Sequence, residues 1–506
     1  MMAALDNLID RVTTYRLALY VLLGYVALGA IEAHAGLFTF SLSELLLSTV
    51  FLVIMCWAAN TLLAQIFNVP ANLESATLTA LILALILDPP TSIGGLSFLG
   101  WVAILAMSSK YILALYNKHL FNPAAIAAVI AAFLMNQSAS WWIGTAAMLP
   151  GIAIGGWLIV RKTRQDSMVI TFLVTAFVVQ ALASLHQGTP VTTGIHRLLI
   201  DSPLIFFAGI MLTEPLTAPP TRRLKALYAL IIGVLFIPQV HVGSLYSTPE
   251  LALVTGNLFS YLVSPKKKLA LKLKKKTMLA PDTIDFAFAL PQPLAFAPGQ
   301  YMEWTLGLPH ADSRGNRRYF TLASSPTERL LHLGVKFYER GSAFKQALSS
   351  LDGQTTVLAG QIAGDFTLPP NPRLKLAFIA GGIGITPFRS MLKYLIDTNQ
   401  RRDIILIYAN RTTADIVYRD VLNDAQRRLG IPVIHTLTDL SAVPDDWTGN
   451  VGRADAEMIV REIPDYRDRI FFLSGPPAMV RSNEQALLSL GVRRRQIKKD
   501  FFPGLV

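Results

Sequence analysis

Between residues 15 and 263 the sequence keeps returning to apolar runs about 20 residues long, and this limits the fold more than any other feature. A backbone crossing hydrocarbon must satisfy its own N–H and C=O groups, so such runs become helices. About ten stretches meet or approach the length requirement: 15–33, 43–66, 74–88, 96–116, 122–136, 141–161, 167–186, 197–213, 224–240 and 249–263. Composition agrees, with 52% hydrophobic and 15% charged residues where a soluble domain carries about a quarter charged. The apolar surplus lies in the first half; the second half reads as a soluble protein. Basic residues set the orientation. With the N-terminus inside, the inside segments hold Arg11, Arg16, Lys118, Arg161, Lys162, Arg164, Arg222, Arg223, Lys225 and Lys266–Lys268. The outside loops hold Arg197 and little else, which places the second half in the cytoplasm and the chain in the cell inner (cytoplasmic) membrane. The net charge of +12 then reads as orientation and contact with anionic lipid, and the absence of an aromatic-interleaved basic patch argues against nucleic acid. The first apolar run lacks a small-residue cleavage site and reads as retained. One cysteine, Cys56, excludes an intrachain disulfide framework and a four-cysteine metal site, and no metal is expected.

Two short stretches look like counterparts. Leu78–Ser92 (LTALILALILDPPTS) and Ala208–Thr221 (AGIMLTEPLTAPPT) each end an apolar run with an acid, Asp88 or Glu214, and then prolines. They would be the third and eighth spans. A five-span unit repeated is necessarily inverted, and broken, proline-ended helices in inverted repeats put sites near their shared interface. Asn122 and Asn257 open or interrupt the fifth and tenth spans in the same way, as a helix cap or an interhelical hydrogen bond would. The ten-span pattern, KHLFNPAAIA at Lys118–Ala127 and LTEPLTAPPTRR at Leu212–Arg223 resemble the D-type membrane subunit of the Rnf electron-transport complex. The same superfamily holds the B-type membrane subunit of the sodium-translocating NADH:quinone reductase. That resemblance implies a flavin carrier. Relatives esterify FMN to a threonine in Ser-Gly-Ala-Thr; the nearest strings here, Glu74-Ser75-Ala76-Thr77 and Thr192-Thr193-Gly194, do not match. A non-covalent flavin (FMN or riboflavin) or a quinone is the expectation. Bis-histidine haem is the alternative, but His34, His119, His186, His196 and His241 all fall near span ends.

Residues 265–276 read as a short basic linker resting on lipid head groups. Beyond it, 269–370 reads as a small β-barrel with strands at 271–273, 285–290, 301–306, 318–322, 331–337 and 355–359. Arg318-Tyr319-Phe320-Thr321-Leu322-Ala323-Ser324 alternates along one strand, so Arg318 and Phe320 share a face and Tyr319 and Thr321 the other. An arginine can clamp a pyrophosphate, and an aromatic can cover a ring system. Gly334-Val335-Lys336 and then Gly341-Ser342-Ala343-Phe344 follow, the latter a small turn that opens a helix at a phosphate.

From 371 to 506 the pattern is α/β. Leu374–Ile379 reads as a buried parallel strand, Ala380–Pro387 (AGGIGITP) as a glycine turn, and Phe388–Ile396 as a helix. Strand, glycine turn, helix aims N–H groups and a positive helix end at a phosphate. Ile404–Ala409 and Ile470–Leu473 are further strands, the second running into Ser474-Gly475-Pro476-Pro477-Ala478-Met479. These motifs, in this order, resemble the ferredoxin–NADP reductase family across 270–506. The resemblance implies FAD on Arg318, Tyr319, Phe320, Thr321, Ser324, Gly334, Val335, Lys336, Gly341, Ser342 and Phe344. It implies NADH or NADPH on Gly381, Gly382, Gly384, Ile385, Thr386, Pro387, Arg411, Gly475, Pro476 and Met479. Thr386 and Ser474, which stands where relatives carry cysteine, would align the nicotinamide; Phe501 or Phe502 would stack on the flavin. Arg411 favours a 2′-phosphate while Asp415 is near, so both nucleotides stay open.

The expectation is thus a multi-domain chain: a polytopic helical membrane domain of two inverted five-span repeats (1–264), a β-barrel FAD domain and an α/β nucleotide domain. It would pass electrons from cytoplasmic NAD(P)H through FAD to a flavin or quinone in the membrane half, and across the membrane if the acceptor lies outside. A haem-based transmembrane ferric or oxygen reductase, and a transporter that senses nucleotide redox state, are the alternatives.

Overall fold

The computed structural model describes residues 5, 9, 12–69, 71–90, 92–115, 118–264, 268–290, 292–308, 316–338 and 341–500. The chain divides into two compact units, Met1–Lys268 and Leu269–Phe502.

The first unit is helical: α1 Thr14–His34, α2 Leu42–Ile66, α3 Leu73–Ile86, α4 Ile93–Ile112, α5 Pro123–Met135, α6 Leu149–Thr163, α7 Asp166–His186, α8 Val191–Ile200, α9 Leu204–Phe206 continued by a π-turn Phe207–Met211, α10 Arg222–Leu235 and α11 Pro249–Val263. Two small hairpins, β1 Ala114–Leu115 with β2 Lys118–His119 and β3 His241–Val242 with β4 Leu245–Tyr246, join helices. Polar caps start the helices: Ser41 forms a capping box with Glu44, and the Asn72, Ser92, Asn122 and Thr248 side chains accept first-turn N–H groups. Small residues let backbones meet, as where Gly209 of the π-turn abuts Gly156 of α6, a Cβ there falling 2.6 Å from the Gly156 Cα.

A helix lies at each of the ten expected stretches. Four, α1, α2, α4 and α7, are long and apolar enough to cross a bilayer alone, and a fifth if α8 and α9 count as one span across their 60° bend. Caps and prolines shorten the others. The 14 residues of α3 stop before Pro89–Pro90, and the 13 of α5 start at Pro123. At 1.5 Å per residue these reach about 20 Å, short of a hydrocarbon core of about 30 Å.

The second unit has two sheets. The first has order β8-β7-β10-β5-β6-β9, with β5 Lys268–Ala280, β6 Thr283–Ala289, β7 Tyr301–Thr305, β8 Arg317–Thr321, β9 Leu330–Lys336 and β10 Thr356–Ala363. Its ends approach: Ala323 N–H, just past β8, donates to the His332 carbonyl on β9. Its interior is Leu271, Phe286, Phe288, Trp304, Leu331 and neighbours, closed by helix α12 Ala343–Ser349. The lysines read as a linker belong to this sheet. Lys266 and Lys267 lie outside the described residues, but β5 starts at Lys268 and pairs with β6 from Lys272. Alternation decides it: Leu271 and Leu273 are buried while Lys272, Lys274, Lys275 and Lys276 point outward.

The other sheet is parallel, with β11 Leu376–Gly381, β12 Ile404–Asn410, β13 Val433–Leu437, β14 Asn450–Val451, β15 Ile470–Ser474 and β16 Ile497–Lys499. Helices α13 Thr386–Asp397, α14 Arg419–Leu429, α15 Ala456–Glu462 and α16 Pro477–Ser489 connect the strands. The order β14-β13-β12-β11-β15-β16 reverses between β11 and β15, a switch point at which ligands bind open α/β sheets.

Candidate functional site

Because β11 and β15 run side by side, the turns that follow them are neighbours. A Cβ on Gly384 would fall 2.5 Å from the Ser474 carbonyl oxygen, and one on Gly475 3.1 Å from the Gly381 Cα. A Cβ on Gly381 would overlap Met479 Sδ and come within 3.2 Å of Pro476. Gly382 turns at φ +52°, a conformation that glycine adopts without strain, and has open space where a side chain would lie. Ile385 is buried, Thr386 and Pro387 open α13, and Thr386 Oγ1 donates to the Ile383 carbonyl at 3.1 Å. The result is a tight glycine turn at a helix N-terminus, suited to an anionic nucleotide. Ser474, buried at the end of β15, donates to Asp500 Oδ2 at 3.0 Å, and Asp500 N–H is held by the Leu473 carbonyl at 2.9 Å. Phe501 and Phe502 lie outside the described residues.

On the barrel, the alternation read for β8 holds. The Arg318 guanidinium lies 5.4 Å from the Phe344 ring centroid, and Phe320 meets the same ring at 6.0 Å. On the other face Tyr319 donates to Glu303 Oε2 at 2.9 Å and meets Tyr301 edge-on. Ser342 caps α12 by accepting from Lys345 N–H, with Gly341 before it, and Lys345 Nζ donates to the Lys336 carbonyl at 2.8 Å. That contact ties the Gly334–Lys336 strand end to the Gly341–Phe344 turn. Thr321 Oγ1 is buried with no hydrogen-bond partner among the described residues, and Ser324 Oγ accepts from His332 N–H. A guanidinium stacked on an aromatic ring beside the Ser342-capped turn, and a tight glycine turn at a helix N-terminus, fit a flavin nucleotide and a nicotinamide nucleotide respectively.

The two sheets of this unit meet at Gly334. A Cβ there would overlap the Tyr418 hydroxyl and come within 3.0 Å of Thr386 Cγ2; Val335 is buried beside it. Lys336 reaches Asp282 at 3.0 Å and Asp415 at 3.3 Å. Burial opposes its charge, but these two carboxylates outweigh it and hold the ammonium above its ordinary value. Asp415 is also engaged by Thr412 N–H and Oγ1, while Arg411 is exposed and 3.6 Å from Asp439. Sequence reasoning missed Tyr418, Asp285, Arg389 and Glu328, which fasten this seam. Two signals were present: a glycine inside the apolar strand β9, and an arginine inside the apolar pattern of α13.

In the helical unit, Asn122 and Asn257 meet: Asn257 Oδ1 accepts from Asn122 N–H at 2.8 Å. Asn122 Nδ2 donates to Glu214 Oε2 at 3.0 Å, Thr217 donates to the same oxygen, and Asn257 Nδ2 donates to Tyr228. His119 Nε2 is 3.7 Å from Glu214 Oε1. The group borders a partly open cleft lined by Ser75, Thr79, His119, Asn122, Thr213 and Glu214 among apolar side chains. Asp88 is exposed past the end of α3, so the two acids read as counterparts differ in setting. His34, His186, His196 and His241 are exposed and His119 is half-buried, an arrangement that offers haem no buried histidine pair.

Comparison with known proteins bears on the second unit. An oxidoreductase FAD-binding domain matches residues 270–364 and an oxidoreductase NAD-binding domain residues 378–485. The chain is 29% identical over 254 residues to NADH-cytochrome b5 reductase 1 of Ajellomyces capsulatus, covering 47% of this chain and 81% of the relative. It is 30% identical over 250 residues to that of Aspergillus terreus, covering 47% and 83%. The stachydrine N-demethylase reductase subunit of Rhizobium meliloti is 30% identical over 234 residues, covering 45% and 64%. Among solved structures, the cytochrome b5 reductase domain of Ulva prolifera nitrate reductase aligns at 24% identity and TM-score 0.41, covering 46% and 97%. Both nucleotide-binding domains are thus matched in their order along the chain, and by these the protein belongs to the family of FAD- and NAD-binding oxidoreductases that includes the NADH-cytochrome b5 reductases: it is an NAD(P)H-oxidising flavoprotein reductase.

Proposed function

We propose that this reductase is membrane-bound and passes electrons from cytoplasmic NADH or NADPH, through FAD, to a non-covalent flavin or a quinone in its helical half. Bound FAD supplies hydride acceptance and stepwise electron release. The chain supplies position and charge. Arg318 and Ser342 hold the flavin pyrophosphate; Phe320 and Thr321 face the ring, with Tyr319, Ser324, Gly334, Val335, Lys336, Gly341 and Phe344 around them. Gly381, Gly382, Gly384, Ile385, Pro387, Gly475, Pro476 and Met479 shape the nicotinamide nucleotide pocket, and Arg411 faces its adenosine end. Thr386 and Ser474 align the nicotinamide. Phe501 or Phe502 guards the flavin until the nicotinamide displaces it.

In the helical half, ten segments arranged as two inverted five-span repeats are the reading, after the resemblance to the Rnf membrane protein. The observation that carries it is the meeting of Asn122 with Asn257, the polar residues of the fifth and tenth stretches, at Glu214. Such a buried polar group in an apolar helical body is a functional-site hypothesis by default, and a cleft adjoins it. The Ser75 and Thr79 turns of α3 and the last turn of α6 at Thr163 line that cleft. In the ten-span topology these are all inside ends, the side on which residue 264 leads to the reductase.

The test is chromophore analysis of the purified protein. Two redox rings should be released, FAD and a second flavin or a quinone, and Arg318→Ala should remove FAD alone. Recovery of FAD with no second ring, from protein that still oxidises NADH, would overturn transfer into the helical half.

A further inference from the structure

We infer that Tyr418 is a positioning residue for hydride transfer, fixing the nucleotide domain against the flavin domain through a buried hydrogen bond to Asp285. This rests on the reductase chemistry alone and not on the membrane route. Hydride transfer moves two electrons and a proton together: the nicotinamide C–H bond breaks and a flavin N–H bond forms. The two rings are carried by different sheets, so their separation is set by whatever locks the sheets together.

Tyr418 sits where that lock must be. It precedes α14 in the left-handed region, at φ +57° and ψ +33°, a conformation an aromatic residue adopts only when its surroundings impose it. It is 6% exposed. Its hydroxyl crosses the seam and donates to Asp285 Oδ1 on β6 at 2.8 Å. The other oxygen of Asp285 meets His332 Nδ1 on β9 at 2.7 Å, so the acceptor is itself held from a second strand. The ring is flanked by the Arg389 guanidinium at 5.5 Å. Arg389 in turn forks onto Glu328 and donates to the Ala323 carbonyl at 3.0 Å, in the segment that follows β8. Beneath the hydroxyl lies Gly334, with no room for a Cβ, and beside Gly334 lie Thr386 and Ile383 of the glycine turn. The hydroxyl therefore touches the strand that ends in Lys336, next to the turn that opens α13. Shifting it moves the nicotinamide side against the flavin side without removing a ligand from either.

Tyr418→Phe deletes one oxygen atom and keeps the packed ring. In the full-length protein, FAD content and affinity for ADP-ribose should be unchanged, while single-turnover flavin reduction by NADH falls on the order of tenfold. Hydrogen exchange should quicken at residues 323–334 and 383–390, with or without nucleotide. Asp285→Asn keeps an oxygen for the phenol and should retain most of the rate; Asp285→Leu should match Tyr418→Phe. If Tyr418→Phe lowers only the melting temperature, with flavin reduction and seam exchange as in the parent, the hydroxyl is merely structural and the inference fails. It fails equally if ADP-ribose binding is lost in step with the rate, because Tyr418 would then be a ligand. Should Asp285→Leu not fold, the Tyr418→Phe comparison decides alone.

Discussion

A methyl group at position 334 would have to share space with the Tyr418 hydroxyl and would come within 3.0 Å of Thr386 Cγ2. Neither neighbour can yield freely, since the hydroxyl is tied to Asp285 and Thr386 begins a buried helix. Gly334→Ala should therefore destabilise the second unit by about 1–3 kcal/mol, read as a drop in its thermal midpoint. Asp465 offers a test at acid pH. The hydrogen bond from Arg469, then that from Lys375, hold its carboxyl down to about 2 from an ordinary 3.8, against burial. A depressed folded value adds stability that is complete above pH 3.8 and vanishes as pH falls through about 2. Asp465→Asn should melt well below the parent near neutral pH and approach it below about pH 3. At this scale the sequence was informative where local geometry needs a residue type at a set spacing, as at Gly381 and Gly384, which leave no room for a Cβ, and Ser342, which caps α12. It was silent where one buried side chain answers another from a distant strand. Nothing local marks Asp285 as the partner of Tyr418, because the pairing spans the fold.

Among elements, β5 shows how period outweighs charge. Its lysines resemble a solvated run, yet the leucines between them carry the strand into the barrel. Leu271→Ala should cost about 2–5 kcal/mol, because Leu271 is fully buried. Lys272→Gln, Lys274→Gln and Lys275→Gln should each stay within about 0.5 kcal/mol, because those side chains are exposed. Thermal unfolding of the four variants separates the strand from a linker, which would show no effect of Leu271. The other barrel strands and β11, β12 and β15 were legible because alternation and short apolar runs differ clearly from helical spacing. In the helical unit the same reading placed its ten stretches on helices, but it merged α8 and α9 into one stretch, 197–213, that the structure bends by 60°, and it did not show which helices could cross a bilayer unaided. Hydropathy reports where apolar residues are; caps and prolines at Asn72, Pro89 and Asn122 decide where the backbone stops.

For the whole molecule, the question is whether two units in one chain are two folding bodies. Their cores are separate. Among the described residues, the buried residues of the helical core run from Ile9 to Leu253, while those of the three clusters of the second unit begin at Leu271, with Leu269 packed against the first of them. The residues proposed to hold FAD and NAD(P)H all lie beyond 317, and the seam contacts join β6, β9 and α13 inside the same unit. A chain starting at Lys268 should therefore fold alone, keep β5 complete, bind FAD and oxidise NADH with a small soluble acceptor. It should lack the second redox ring proposed for the cleft beside Glu214 and should not reduce a membrane-dissolved quinone faster than free flavin does. If this piece is colourless or unfolded, the reductase needs its helical partner for more than an acceptor. If it reduces membrane quinone as fast as the full chain, the helical unit is no electron route.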